Sequence, residues 1–240
     1  MDRCLATVRD WAQRRNFDYR LEGDRLVSIV PEDLRARLRG HIAAISDQGR
    51  LRLAQEAFAE GYTRVIWFDA DVVVFDPEHL RMEYSGRYCL GYELWLRRNQ
   101  AGDLVYTGGP NCSFLQFDAG NPFLPFLLHA LEQLTRHRPG LPLAYFSTQF
   151  LAGLAQAMPL PVHRGIGNFS PLLVADLAGE GRLLAEYMRR LGNPLRAANL
   201  CVSKRGVTED GVTITDAMHE QACLRLIESR GEILNRHVAA

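Results

Sequence analysis

The sequence predicts an α/β fold, with a mainly parallel sheet flanked by helices, in a chain of 240 residues. Three observations support this. Helical and strand periodicities alternate through the first half of the chain and mix in the second. "TRVIWF" (63–68) is apolar on both faces, as strands covered by helices on both sides are. Apolar content of 47% and charged content of 23% are those of a globular chain able to bury a core.

Taken in order, residues 2–16 read as a helix with Leu5, Val8, Trp11 and Ala12 on one face, followed by a short strand, "FDYRL" (17–21). Pro31 opens another helix, which carries Leu34 and Leu38. "SDQGRLRLAQEAFAEG" (46–61) is helical: Ser46 or Asp47 caps it, Leu51, Ala54, Ala57 and Phe58 form its buried stripe, and Gly61 stops it. After the strand at 63–68, Val72–Phe75 re-enters the core, and "RYCLGYEL" (87–94), "DLVYTG" (103–108) and "CSFLQF" (112–117) follow as strands, the last two paired with each other. Helices are expected at 121–137 and 147–157, then a strand at 160–164 and a glycine-bearing loop, "GIGNFSP". Two more helices, strands near 198–203 and 211–215, and a helix at 216–230 complete the pattern.

Composition excludes several classes of function. Net charge is zero, so the chain lacks the basic surface with which nucleic-acid binders neutralise phosphates. Lys204 is the sole lysine and follows no glycine-rich turn, which removes a P-loop. Cys4, Cys89, Cys112, Cys201 and Cys223 are scattered and form no CxxC pair, a usage that fits a reducing, cytoplasmic compartment. The first residues, "MDRCLATVRDWAQRR", are charged and unlike a signal peptide, and the longest apolar stretch falls well short of the ~20 residues of a membrane helix.

The chemistry is concentrated in "RVIWFDADVVVFDP" (64–77). Asp69 and Asp71, one residue apart where a strand ends, can face one small volume beyond the sheet, where α/β ligands sit. Like charges so close repel, and a hard divalent cation between them relieves the repulsion while keeping positions free for phosphate oxygens. The pattern suits a diphosphate. A capping role for Asp69 beside a solvated Asp71 is the plain alternative.

The stretch 46–77 resembles the core of nucleotide-sugar glycosyltransferases of the Rossmann-related GT-A fold, including glycogenin-like, bacterial galactosyltransferase-like and capsular-type members, with their D-x-D motif. The resemblance implies one domain over 1–240, with a donor and metal core at 46–117 and an acceptor-side, helical part at 118–240. It implies Mn²⁺ or Mg²⁺ on Asp69 and Asp71, the Asp69-Ala70-Asp71 turn at the donor's ribose and diphosphate, and Asp47 with Arg50 or Arg52 at the sugar or diphosphate. "GGPNCSFLQFD" (108–118) is similar to the segment beneath the donor sugar, which assigns Asn111 and the flexible Gly108 and Gly109 to donor binding. Gln149 matches the glutamine of the retaining members' catalytic Asp-Gln pair, although Thr148 replaces the aspartate. Gln149 and Asp71 are therefore the expected catalytic residues. A third metal ligand in such domains is often a histidine; His163 is best placed, with His219 behind it.

The family's usual first strand, at the nucleotide base, has no counterpart here: either the start is called too late, or a neighbouring chain supplies the strand, as in a homo-oligomer, or the base is held differently. The resulting expectation is a metal-dependent hexosyltransferase acting on a nucleoside-diphosphate sugar, UDP-sugar favoured, and a saccharide, lipid-linked or protein hydroxyl acceptor. Asp176, Glu209 and Asp210 are candidate bases if the outcome is inversion, and Tyr92, Trp95 and Tyr106 candidate sugar-stacking residues. Two rival readings remain. "DADVV" also fits the D-x-D-x-[TV] pattern of haloacid-dehalogenase-like phosphatases, with Asp69 as nucleophile, Asp71 as acid/base and Lys204 with Asp210 or Asp216 in support. A degenerate transferase that binds a sugar nucleotide or a partner without turnover is the other.

Overall fold

The computed structural model describes residues 1–82, 86–138, 140–142 and 148–238. Its first helix, α1 (Asp2–Arg14), buries Cys4, Val8, Trp11 and Ala12. Phe17–Leu21, expected as a strand, pairs with no strand among the described residues. Phe17 and Tyr19 pack instead against the cluster around Trp11, and the Tyr62 hydroxyl donates to Asp18 Oδ2 at 2.8 Å, so side chains rather than a ladder hold this segment.

Two short helices, α2 (Arg25–Ser28) and α3 (Glu32–Arg37), precede the long α4 (Ile42–Ala59). α4 begins a turn earlier than the sequence suggests: His41 Nδ1 accepts the Ala44 N–H at 3.3 Å and caps it. Ser46 and Asp47 thereby lie inside the helix, buried, rather than at its cap. Gly61, at φ +98°, ends it as expected. Gly49 lets α4 meet the α2 backbone, since a Cβ there would stand 1.9 Å from the Leu26 carbonyl oxygen.

The main sheet has the order β1-β4-β3-β5, formed by β1 (Arg64–Phe68), β3 (Tyr88–Arg98), β4 (Leu104–Asp118) and β5 (Val162–His163). A second sheet runs β2-β7-β6, from β2 (Val72–Val74), β6 (Ile166–Asn168) and β7 (Ala197–Asn199). A small hairpin joins β8 (Thr208–Glu209) to β9 (Val212–Thr213).

The expectation of a mainly parallel sheet is corrected. Only β3–β5 and β6–β7 pair in parallel among the described residues; β1–β4, β3–β4, β2–β7 and β8–β9 are antiparallel. The cause is local. β3 and β4 are long strands joined through a short link at 99–103, a connection that only an antiparallel pair permits. The segments 103–108 and 112–117 do not pair with each other: both belong to β4 and face β3. The ladder slips between Leu90 and Gly91, which pair with Leu115 and Asn111, so Cys112–Phe114 bulge out of register. Gly91 is needed there, as a Cβ would sit 3.0 Å from the Asn111 carbonyl oxygen.

β6 lies within the segment expected to be loop, while β7 and β9 fall near their expected places. α5 (Phe123–His137) and α6 (Thr148–Ala157) cover one face of the main sheet around Leu90, Leu115 and Phe117; residue 147, the expected start of α6, lies outside the described residues. β2 is buried on both faces, with Val72 and Val74 against α1 and Val73 against the C-terminal helices α7 (Pro171–Ala178), α8 (Leu184–Leu191) and α9 (Asp216–Glu228). A short helix, α10 (Glu232–Asn235), is the last element. No helix among the described residues is long and apolar enough to cross a membrane.

Candidate functional site

β1 and β2 lie in different sheets, and the three residues between them make the turn from one to the other. Asp69 N–H donates to the Ser113 carbonyl at 2.9 Å, extending the β1–β4 ladder by one bond, and Val72 N–H returns to the Asp69 carbonyl at 3.0 Å. The turn leaves Ala70 exposed at its tip and an aspartate on each side. All three line a cavity of about 1080 Å³ bounded by α1, residues 17–22, α4, β1 and the face of β3 that carries Glu93, Trp95 and Arg97.

On the Asp69 side, Arg50 Nη2 lies 3.2 Å from Asp47 Oδ1 and 3.3 Å from Asp69 Oδ1. Its Nη1 donates to the Cys112 carbonyl of the bulge, and its guanidinium carbon stands 5.5 Å from the centre of the Trp67 ring. Trp67 Nε1 donates to Asp69 Oδ1 at 2.7 Å. Burial works against the Arg50 charge, and Asp69 and Asp47 more than offset it, so the guanidinium is held protonated. The buried Arg50 Nε has no hydrogen-bond partner among the described residues. Arg52, the other candidate arginine, pairs with Glu132 of α5 and leaves Arg50 as the arginine of the site.

Asp71 is held from the other sheet. Asn199 Nδ2 donates to Oδ1 at 2.6 Å and Val202 N–H to Oδ2 at 2.8 Å. Burial, then the nearby Asp69 charge, push its carboxyl up to about 6 against these bonds. Among the described residues, no three His, Cys, Asp or Glu side chains gather as a metal site. Of the carboxylates that line the cavity, Asp69 and Asp71 flank one turn and could hold a cation between them. Trp67 and Arg50 both meet Asp69 at Oδ1, and Asn199 Nδ2 and the Val202 N–H take one Asp71 oxygen each, which leaves lone pairs on both carboxylates. This fits an ion held by two carboxylates that completes its shell with ligand oxygens or water, a usual arrangement for Mg²⁺.

Asn111 also lines the cavity. Its Oδ1 accepts from Ser113 N–H at 2.6 Å and its Nδ2 donates to Glu93 Oε2 at 2.8 Å. Glu93, which no motif marked, accepts a second bond on the same oxygen from Asn168 Nδ2 at 2.8 Å. Burial raises its carboxyl above the usual range, partly offset by the two amides. A lone carboxylate inside the apolar strand "YELWL" was the signal available in the sequence.

Asp47, Arg50, Asp69, Ala70, Asp71 and Asn111 are thus brought together around the cavity, and Gly109, Gln149 and His163 are not. Gly109 pairs with Glu93 within the ladder, where a Cβ would meet nothing. Gln149 is exposed near the start of α6. His163 Nδ1 accepts the Gly165 N–H at 3.1 Å, so Nε2 carries the proton and donates to the Arg81 carbonyl at 3.0 Å; neither nitrogen has a lone pair left for a cation at the aspartates. His219 bonds the Leu200 carbonyl. Of the aromatic trio, Trp95 lines the cavity, while Tyr92 and Tyr106 pack under Arg164 and Arg190. Asp176 caps Arg182 and Leu183, Glu209 pairs with Lys204, and Asp210 occupies the β8–β9 turn at φ +53°.

No family model matches the chain, and no curated protein matches it. Among solved structures, it is similar to the crystal structure of a glycosyltransferase involved in the glycosylation of the major capsid of PBCV-1, at 11% identity and a TM-score of 0.44, over 92% of this chain and 91% of that one. A likeness at this level describes a loosely shared course of the chain and carries no chemistry.

Proposed function

We propose that the protein is a metal-dependent glycosyltransferase that moves a hexosyl group from a nucleoside-diphosphate sugar, UDP-sugar favoured, to a hydroxyl acceptor. The observation that carries this reading is the Asp69-Ala70-Asp71 turn, which presents two neighbouring carboxylates to a cavity large enough for a sugar nucleotide. Asp69 and Asp71 hold Mn²⁺ or Mg²⁺, which when bound supplies positive charge against the departing diphosphate. Arg50 fixes Asp69 and Asp47 in place with a buried, permanently charged fork. Asn199 at the end of β7 and the Val202 N–H just beyond it orient Asp71 in the same way. Asn111 stands where it can reach a sugar hydroxyl, and Trp95 offers an aromatic face to sugar C–H groups. The anomeric carbon passes through an oxocarbenium-like state, as in other glycosyl transfers.

The phosphatase reading draws less support, because Lys204 is engaged by Glu209 at 2.8 Å and does not line the cavity. Turnover separates the transferase from a binding-only descendant. The wild type incubated with UDP-glucose, UDP-galactose or UDP-N-acetylglucosamine and Mn²⁺ is expected to release UDP from at least one of them. EDTA and Asp69→Asn are each expected to abolish release. UDP release that persists in EDTA, or none from a protein that binds UDP, contradicts the proposal.

A further inference from the structure

Glu93 and Asp71 are tied into one wall of the cavity by a pair of asparagines. Asn168 of β6 and Asn199 of β7 stand opposite one another in the parallel ladder, on strands that lie about 4.8 Å apart. Asn168 donates to Glu93 Oε2 at 2.8 Å, and Asn199 donates to Asp71 Oδ1 at 2.6 Å. A third amide, Asn111, donates to the same Glu93 oxygen from β4 at 2.8 Å. Two donors on Oε2 use both of its lone pairs and fix the carboxylate plane, while Oε1 has no hydrogen-bond partner among the described residues. Glu93 lines the cavity beside Trp95, and the two lie on one face of β3 by its two-residue alternation.

We propose, resting on the transferase reading above, that Glu93 is the general base of the transfer and that transfer inverts the anomeric carbon. Oε1 takes the proton of the acceptor hydroxyl as that oxygen bonds to the anomeric carbon. The bond from that carbon to the diphosphate oxygen breaks, and its electron pair leaves with the nucleoside diphosphate. Asn111 and Asn168 are positioning residues: they occupy Oε2 so that only Oε1 can receive the proton. Burial makes this carboxylate a stronger base than an exposed one. Of the other carboxylates considered for the role, Asp176, Glu209 and Asp210, none lines the cavity.

The test pairs Glu93→Gln, which keeps an oxygen for the two amides, with Glu93→Ala supplied with sodium azide. Azide needs no deprotonation, so it attacks the anomeric carbon without a base. Each protein is first titrated with UDP and Mn²⁺ by melting temperature, and then assayed for UDP release from UDP-glucose, UDP-galactose and UDP-N-acetylglucosamine. Glu93→Gln is expected to keep the wild-type UDP shift and donor KM while kcat falls about 100-fold or more. In Glu93→Ala, azide is expected to restore UDP release and yield a glycosyl azide of inverted configuration. Wild-type binding with undiminished Glu93→Gln turnover, or a retained azide product, overturns this assignment alone. A wild type with no UDP shift, or with no UDP release from any donor, overturns it together with the transferase reading.

Discussion

Arg50 Nη2 stands 3.3 Å from Asp69 Oδ1, an ion pair between the middle of α4 and the first residue after β1. The arginine side chain is 8% exposed. Removing the charge takes away the guanidinium that stands between the buried Asp47 and the partly exposed Asp69. Arg50→Met is therefore expected to cost about 3–5 kcal/mol, read as a fall of roughly 6–15 °C in melting temperature. A variant that melts within two degrees of the wild type would show that the pair carries no structural weight.

Gly49→Ala, one residue away, tests how closely α4 approaches α2. Helix propensity alone favours alanine by roughly 1 kcal/mol. The new methyl would sit 1.9 Å from the Leu26 carbonyl oxygen, backbone that cannot rotate aside. The clash is expected to win, with net destabilisation of about 1–3 kcal/mol by urea unfolding. A stabilised variant would contradict the close approach.

Asp71 sets a pH dependence of known sign. Its folded pKa is about 6 against 3.8 for a free carboxylate, so folding favours the protonated form. The stabilisation is complete below 3.8 and is lost as the pH rises through about 6. In EDTA, the unfolding free energy of the wild type relative to Asp71→Asn is expected to fall by about 3 kcal/mol across that window. Urea titrations of both proteins at several pH values measure it, and a flat difference refutes the assignment.

His163→Gln separates the histidine from the aspartates. Both His163 ring nitrogens are engaged by backbone groups near β5. The variant is expected to lose stability through those bonds while leaving the Mn²⁺ dependence of UDP binding unchanged. A loss of metal dependence comparable to that of Asp71→Asn would return His163 to the site.

Legibility in the sequence followed the range of the forces involved. The body of α4, its stop at Gly61 and the aspartate turn are written locally, in spacing and in one glycine, whereas its start a turn earlier depends on the His41 cap. Strand direction is not local. β1 is apolar on both faces, which suggested a parallel neighbour, yet its partner among the described residues is β4, antiparallel. β6 was hidden because three residues, "IGN", are too few to show a period. Asp47, Arg50 and Asn111 were legible through the resemblance of their segments, and the cavity gathers them. His163 was a mistaken partner because the bonds that engage it come from backbone groups, which no side-chain pattern records. Glu93 escaped notice because its two amide partners are 18 and 75 residues away.

The paired aspartates are tested most directly by calorimetric titration of UDP into the wild type, Asp69→Asn and Asp71→Asn, each with and without Mn²⁺. Wild-type affinity is expected to rise at least about tenfold with the metal, some 1.4 kcal/mol, and neither variant is expected to show the gain. Equal UDP affinity with and without Mn²⁺, or an undiminished gain in Asp71→Asn, would contradict a cation held between Asp69 and Asp71.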